Sequence, residues 1–187
     1  MVGLGGGSLA KFCHQHLPRT RITSLEIDPR VIALAPAFRV PVDDTRSRII
    51  EAEACAWFAS ADERYDLVLL DGYTETGIAS GFGSPQFYAD IRAGLRPGGI
   101  VAANILVTSA VLRQYRQVID AAFDGRTIGQ RSCARVLPQG LERILQGVKA
   151  HLRAQTHVPM HMNLKRCVVL CHFLACGWCR TGTAKQI

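Results

Sequence analysis

The sequence predicts a doubly wound α/β domain built around a parallel sheet, and three observations lead to this prediction. Strand-like and helix-like segments alternate from residue 1 to about residue 124, as in α/β folds with right-handed crossovers. A glycine cluster (GLGGG, residues 3–7) stands where the first strand turns into a helix. The run YDLVLLD (residues 65–71) is almost wholly apolar, as expected of a strand covered on both faces.

The first 60 residues predict a strand end at VGL with its helix, followed by two complete strand–helix units. The helix SLAKFCHQHL turns one apolar face inward, formed by Leu9, Phe12, Cys13 and Leu17. The strand RITSLEI is followed by a helix that Asp28-Pro29 begins and Pro36 ends. The strand RSRIIEA is followed by the short helix ACAWFAS.

Residues 61–124 predict two further strands and two further helices. YDLVLLD leads through a glycine-rich loop to a helix capped by Ser84-Pro85 and running to about Leu95. An RPGG turn and the buried strand IVAANIL follow. The helix SAVLRQYRQVIDAAF then has an inward face formed by Val111, Leu112, Tyr115, Val118, Ile119 and Ala122.

The alternation weakens after Asp124. GRTIGQRSCARVLP predicts at most two weak strands, residues 139–153 predict one more helix, and no element is assigned beyond Pro159. The predicted division is a nucleoside-binding core at 1–124, a divergent remainder with one helix at 125–158, and a basic, cysteine-rich tail at 159–187 that is a candidate for non-native or disordered sequence.

The net charge of +7 comes from the C-terminal quarter of the chain. Residues 143–187 carry seven Lys and Arg and no acid, whereas the rest holds 15 basic and 15 acidic side chains. Because the main body is neutral, we predict no nucleic-acid partner. A nucleic-acid-binding tail is the lesser alternative, since its aromatic residues lack the spacing of a base-stacking platform.

We expect a cytoplasmic protein without membrane contact. No apolar run reaches the roughly 18 residues needed to span a bilayer, and the best candidate, residues 167–179, is too short. The N-terminus lacks the charged, apolar and small-residue regions of a signal peptide.

Four of the seven cysteines lie close together near the C-terminus, around His172; they are Cys167, Cys171, Cys176 and Cys179. A zinc site is one interpretation, but structural zinc sites usually separate two ligand pairs by a longer loop. We therefore predict no metal. The favoured interpretation is that this terminal segment has no native role in the fold. A shifted reading frame or an altered gene end would produce such a segment.

The glycine loop and Glu26 together predict a nucleoside site. The loop glycines let the backbone approach a ligand closely, and Glu26 ends the second strand about 20 residues on, where a carboxylate accepts hydrogen bonds from ribose hydroxyls. A tight turn that binds nothing is the alternative. Ser8 breaks the dinucleotide pattern G-x-G-x-x-G. Glu53 after the third strand, Asp71 after the fourth and LRPGGI before the fifth favour an S-adenosyl cofactor.

The blocks GGGS, LEID, EAEACAWF, YDLVLLDGY and FYADIRAGLRPGGI resemble the spermidine synthase (polyamine aminopropyltransferase) family over roughly residues 2–124. The resemblance implies a class I S-adenosylmethionine-dependent methyltransferase-like, Rossmann-like fold. It also implies decarboxylated S-adenosylmethionine or S-adenosylmethionine as co-substrate, a small polyamine as partner and no metal.

The resemblance assigns roles to individual residues. Glu26 would hold the ribose, Glu53 the adenine, and Asp71 would be the general base that takes a proton from the attacking amine. The implied cofactor-binding residues are Gly3, Gly5, Gly6, Gly7, Ser8, Glu26, Ile27, Glu53 and Ala54. The implied substrate-binding residues are Asp71, Tyr73 and Glu75.

Three features depart from the family pattern. Ser8 stands where the family commonly has an Asp, and Thr74, followed by Glu75, stands where it commonly has a second Asp. These changes leave fewer carboxylates to attract a polycation. Family members also carry an N-terminal β-rich domain that helps close the substrate site and build oligomers. We expect this chain to lack that domain and to begin on a clipped first strand, with a homodimer as one open option.

The predicted activity is transfer of an aminopropyl group from decarboxylated S-adenosylmethionine to a polyamine amine. Two alternatives stay open. One is an S-adenosylmethionine-dependent methyltransferase, which the poorly acidic amine pocket favours. The other is a non-catalytic, nucleoside-binding fragment.

Overall fold

The computed structural model describes residues 1–42, 44–60, 62–74, 77–105, 109–133 and 167–174. The helices are α1 (Ser8–His16), α2 (Pro29–Leu34), α3 (Ala54–Ser60), α4 (Pro85–Gly94) and α5 (Ser109–Ala122), and Ser80–Gly83 forms a 3₁₀ turn. The strands are β1 (Ile22–Glu26), β2 (Ser47–Glu51), β3 (Tyr65–Leu70), β4 (Tyr73–Thr74), β5 (Gly77–Ile78), β6 (Leu95–Asn104), β7 (Thr127–Cys133) and β8 (Cys167–Leu174).

The six longer strands form a parallel sheet, as the sequence predicts. β1 pairs with β2, and β3, β6, β8 and β7 lie side by side in that order. The first residues of the chain join these two groups, because Val2 bridges in parallel to Leu25 of β1 and to Leu70 of β3. The first strand of the fold therefore lies inside the sheet, between β1 and β3.

Backbone hydrogen bonds hold this N-terminal segment on both sides. They run from Val2 N to Leu69 O (2.8 Å), Gly3 N to Leu25 O (2.9 Å), Leu25 N to Met1 O (2.9 Å) and Asp71 N to Val2 O (2.9 Å). Val2 itself is 5% exposed. Three residues centred on the buried Val2 therefore join β1 to β3.

Helices cover the sheet on both faces. α3, α4 and α5 lie in the connections from β2 to β3, from β3 to β6 and from β6 to β7, which cross the sheet in one direction. α1 and α2 lie in the connections from the N-terminal segment to β1 and from β1 to β2, which cross it in the opposite direction. With right-handed crossovers the two sets lie on opposite faces. The largest apolar cluster joins α3, α4 and α5 to β3 and β6, and two smaller clusters lie beneath α1 and α2.

Capping and proline residues set the helix ends where the sequence places them, with one exception. The Asp28 carboxylate accepts from the backbone N–H of Arg30 at 2.8 Å, and α2 ends at Leu34, ahead of Pro36. Ser84 occupies the N-cap position of α4, but its side chain makes no capping hydrogen bond. Pro85, which needs no donor partner at the first helical position, accounts for the start of this helix.

The inward face of α5 is confirmed except at Val111. Leu112, Tyr115, Val118 and Ala122 pack against the main core, and Ile119 is fully buried in it. Val111 is 37% exposed. Its angular position falls between those of Val118 and Ala122, so its exposure reflects its place in the first turn of α5 and not its direction around the helix.

The predicted RPGG turn is wrong as a break between two elements. β6 begins at Leu95 and passes through these residues. Leu95 pairs with Tyr65, whereas Ile100 pairs with Leu67, so β6 holds three more residues than its partner over this stretch. Gly98, at φ +78°, gives the backbone the left-handed conformation that this irregularity needs.

The C-terminal region contains a strand where the sequence assigned no element. β8 lies between β6 and β7 and pairs with both in parallel. Its sequence, CVVLCHFL, is a short run of apolar and β-branched residues, a composition that suits a covered strand. The helix predicted at 139–153 lies outside the described residues, as do Cys176 and Cys179, and the division of the chain into three parts stays a prediction.

Neither a membrane-crossing helix nor a metal-ligating cluster occurs within the described ranges. No helix there combines the length and apolarity that crossing a membrane requires. No group of three or more His, Cys, Asp or Glu side chains in those ranges is placed to hold a metal ion.

We predict that two α5 substitutions differ strongly in their effect on the free energy of unfolding. Ile119→Ala removes a fully buried side chain and should lower it by about 2–5 kcal/mol. Val111→Ala trims a partly exposed one and should change it by no more than about 0.5 kcal/mol. Urea denaturation followed by circular dichroism measures both. Equal losses would show that Val111 faces the core.

Candidate functional site

The predicted site lies at the carboxyl ends of the parallel strands, where the N-terminal segment turns into α1. Gly3, Gly5 and Gly7 have φ values of +86°, +49° and +68°. A β-carbon on Gly3 would collide with the backbone carbonyl oxygen of Asp71, and one on Gly7 would collide with Val40. The backbone path of the loop therefore depends on glycine at positions 3 and 7.

A glycine caps the N-terminus of α1. Gly7 is the N-cap, and no side chain caps the helix. Ser8 is instead the first helical residue and is exposed. Gly7 adopts the left-handed conformation that begins α1, so Ser8 takes no capping role.

Glu26 ties the glycine loop to the end of β1. One carboxylate oxygen (Oε2) accepts from the backbone N–H of Leu4 at 2.9 Å. The other (Oε1) accepts from the N–H groups of Ile27 at 2.8 Å and Asp28 at 3.1 Å. A carboxylate has about four acceptor positions, so three are filled from the described chain and one remains on Oε2.

Glu53 lies beside Glu26 at the same edge of the sheet. The carbonyl of Glu26 accepts from the N–H of Ala52 at 3.0 Å, and Glu53 follows directly. The exposed Glu53 carboxylate accepts from the N–H of Ala56 at 2.8 Å at the start of α3. Partial burial opposes its charge, but hydrogen bonds from Cys55 and Ala56 outweigh this and hold the pKa of Glu53 below its usual value.

Cys55, next to these acids, is not an activated thiol. Partial burial, together with the negative charges of Glu53 and Asp90, raises the pKa of Cys55 to about 11. The sulfur packs against Gly81, where a β-carbon would collide with it. Because a nucleophilic cysteine must be a thiolate, Cys55 serves packing and supports Glu53.

Asp71 follows β3 and is exposed at the sheet edge. Its Oδ1 accepts from the side-chain Nδ2 of Asn104 at 2.8 Å. The hydroxyl of Tyr73 donates to the backbone carbonyl of Asn104 at 3.0 Å. Asn104 was not predicted, although the pairing of β3 with β6 would have placed it opposite Asp71.

The structure brings most of the predicted residues together. The glycine loop contacts Asp71 through Gly3 and Glu26 through Leu4, and Glu26 and Glu53 end neighbouring strands. Ile27 projects its side chain into solvent, 62% exposed, whereas Ala54 is buried in α3. Glu75 lies outside the described residues.

Sequence reasoning also missed an exposed aromatic residue next to the loop. Phe38 is 49% exposed, and its ring lies 3.9 Å from the β-carbon position of Gly6. The Nζ of Lys11 donates to the Phe38 carbonyl at 2.9 Å and holds this segment against α1. An apolar ring beside the glycine loop adds a surface on which a planar ligand could pack.

No protein-family model matches the chain. It is 30% identical over 128 residues to a polyamine aminopropyltransferase from Neisseria meningitidis serogroup B and 29% identical over 128 residues to one from Chromobacterium violaceum. Both matches cover 68% of this chain and 49% of the relative. The chain thus spans about half the length of the curated relatives it matches. An eEF1A lysine and N-terminal methyltransferase homolog from Drosophila pseudoobscura is 28% identical, over 60% of this chain and 18% of its own length.

A solved structure gives the fold. The chain matches human methyltransferase-like protein 13, crystallised with SAH, at a TM-score of 0.60 and 25% identity. The match covers 66% of this chain and 61% of that one. The class I methyltransferase-like fold is therefore confirmed.

We predict that Gly3→Ala destabilises the protein much more than Gly6→Ala. Alanine at position 3 combines a left-handed backbone with a collision against Asp71, which should lower the free energy of unfolding by about 2–4 kcal/mol. Position 6 has no positive φ and only a distant neighbour, so the change should stay within about 0.5 kcal/mol. Urea denaturation of the ligand-free protein measures both, and a tolerated Gly3→Ala would contradict the loop geometry.

We predict that Glu53→Gln lowers stability near neutral pH and not in acid. The folded-state pKa of Glu53 is depressed, so its contribution is present above the unfolded-state value and is lost as pH falls through the folded-state pKa. Because the group is exposed, the loss at pH 7 should be about 1 kcal/mol or less. Thermal denaturation at pH 7 and pH 3 measures it; an equal difference at both would contradict the assignment.

Proposed function

We propose that this chain, which is similar to the polyamine aminopropyltransferases over its methyltransferase-like fold, transfers an aminopropyl group from decarboxylated S-adenosylmethionine to a polyamine amine. The observation that carries the proposal is the joint position of Glu26 and Asp71. Each acid follows a residue that bridges to Val2, on either side of the N-terminal segment. A ribose-binding acid and an amine-binding acid at one edge suit a nucleoside with a reactive sulfonium.

The nucleoside would lie along Glu26, Ile27 and Glu53. The remaining acceptor position of Glu26 would take a ribose hydroxyl, and the exposed Ile27 would pack on the adenine face. Glu53 would accept from the adenine amino group through the oxygen not bound to Ala56. Gly3, Gly5, Gly6, Gly7, Ser8 and Ala54 would line the rest of this site.

Asp71 would act on the amine. The amine nitrogen attacks the aminopropyl carbon next to sulfur, the carbon–sulfur bond breaks, and sulfur keeps the electron pair to leave as methylthioadenosine. Before this attack Asp71 accepts one proton from the bound ammonium, which gives the nitrogen its free lone pair. The Oδ2 of Asp71 has no partner among the described residues, so it is open to an ammonium. Tyr73 and Glu75 would complete the amine pocket.

S-adenosylmethionine-dependent methyl transfer is the second candidate. Ser8 and Thr74 bring no negative charge to positions near the loop and Asp71, which weakens the attraction for a polycation. The relative named as a methyltransferase homolog and the structure holding SAH support this alternative. The oligomeric state, with a homodimer as one option, and the cytoplasmic location stay predictions of the sequence.

We predict that methylthioadenosine stabilises the protein and that Glu26→Gln weakens this effect. A ligand at a hundredfold excess over its Kd adds about 2.7 kcal/mol to the free energy of unfolding. Loss of a charged acceptor should weaken binding about 10- to 100-fold. Thermal shift with and without ligand measures both, with Glu63→Gln as control because Glu63 pairs with Arg48 away from the loop. No shift with any adenosyl thioether would contradict both enzyme proposals.

We predict that Asp71→Asn lowers kcat with putrescine and decarboxylated S-adenosylmethionine about 100-fold or more, because the amide cannot take the proton. Binding of methylthioadenosine should be unchanged. Asp66→Asn is the matched control, since Asp66 is an exposed acid of β3 paired with Arg96. Product formation followed by chromatography measures turnover. Unchanged turnover in Asp71→Asn would remove Asp71 from its role, and methyl transfer without aminopropyl transfer would favour the second candidate.

A further inference from the structure

We infer that Asn104 is a positioning residue for the amine-binding acid: it fixes the Asp71 carboxylate and the adjoining Tyr73 wall from the end of β6. The inference rests on the proposed function, because it concerns how Asp71 meets the amine. Asn104 would act through Asp71 and would not touch the reacting atoms.

The sheet places Asn104 opposite Asp71. β3 and β6 are parallel, and Leu70 pairs with Ala103 at the last position of the ladder. The next residue of each strand is Asp71 on one side and Asn104 on the other. The 2.8 Å hydrogen bond from Asn104 Nδ2 to Asp71 Oδ1 therefore extends the strand pairing by one side-chain contact.

The chemistry of the two groups fixes the direction of the Asn104 amide. An ionised carboxylate only accepts hydrogen bonds, so the NH₂ group of the amide must face Asp71. The amide oxygen, Oδ1, then points the other way. It is buried and has no hydrogen-bond partner among the described residues. A buried acceptor without a donor is unfavourable. The side chain therefore makes its hydrogen bond to Asp71 while its own amide oxygen stays unpaired among the described residues.

The same residue also holds Tyr73. The Tyr73 hydroxyl donates to the Asn104 backbone carbonyl at 3.0 Å, across the start of the β4–β5 hairpin. Asp71 and Tyr73, both assigned to the amine pocket, are thus anchored to one residue. Its side chain holds the acid, and its backbone holds the aromatic ring.

Engagement of one carboxylate oxygen leaves the other for the substrate. Oδ1 is held by Asn104, and Oδ2 has no partner in the described part of the chain. Without the amide the carboxylate turns freely about its last side-chain bond. Loss of the donor should therefore misplace Oδ2, which lowers kcat and leaves the affinity for the amine largely unchanged.

The kinetic test compares Asn104→Leu with Asn104→Gln. Leucine has a similar volume and no donor, and should lower kcat about 10- to 100-fold with the putrescine KM changed less than about threefold. Glutamine keeps the donor and should recover most of the lost kcat. Gln86→Leu is the control, because it removes an amide-to-carboxylate bond of the same 2.8 Å length, to Asp90 on α4. Unchanged kcat in Asn104→Leu would overturn the inference.

A spectroscopic arm separates this inference from the proposed function. The ¹³C resonance of the Asp71 carboxyl carbon, assigned with Asp71→Asn, should move in Asn104→Leu and stay in place in Gln86→Leu. An unmoved resonance in Asn104→Leu overturns the inference whatever the activity. The proposed function would be overturned if the Asp71 resonance moves in Asn104→Leu but the wild-type protein forms no aminopropyl product with putrescine. The role of Asn104 in catalysis would fall with it.

Discussion

The described structure depends on the short ladder between Val2 and its two neighbours. β1 and β2 form one pair of strands and β3, β6, β8 and β7 form one group of four, and in the described sheet the backbones of these two parts are joined through the first residues of the chain. Hydrogen bonds on both sides of Val2 make one continuous sheet of them. A polar backbone buried at this depth has to be paired, so the ladder leaves little freedom in how the two parts align.

That alignment determines the geometry of the candidate site. Leu25 and Leu70 both bridge to Val2, and the residues that follow them are Glu26 and Asp71. The separation of the two acids is therefore set by the width of one intervening strand. The glycine loop begins at the next residue and contacts both, through Gly3 and Leu4. The residues that pair the strands are therefore the same residues that place the acids of the candidate site.

Local sequence signals predicted most of the fold and the acids of the site, because helix caps, prolines and apolar spacing act over a few residues. What they missed depends on contacts between distant segments. The place of β8 follows from pairing with β6 and β7, and the exposure of Val111 follows from how far the core extends along the first turn of α5. The link between Asn104 and Asp71 joins residues 33 positions apart, and its two ends acquire meaning only once β3 and β6 are paired.

The hydrogen bonds of Glu26 have a consequence for the proposed nucleoside site. Three backbone N–H groups already occupy its carboxylate, which leaves one free position. Under the proposed function one ribose hydroxyl would fill that position, and the Leu4 amide of the glycine loop would keep its bond to the same oxygen. The acceptor would therefore be oriented before the ligand arrives, and the hydrogen bond that orders the loop would also fix the direction from which the ribose is held.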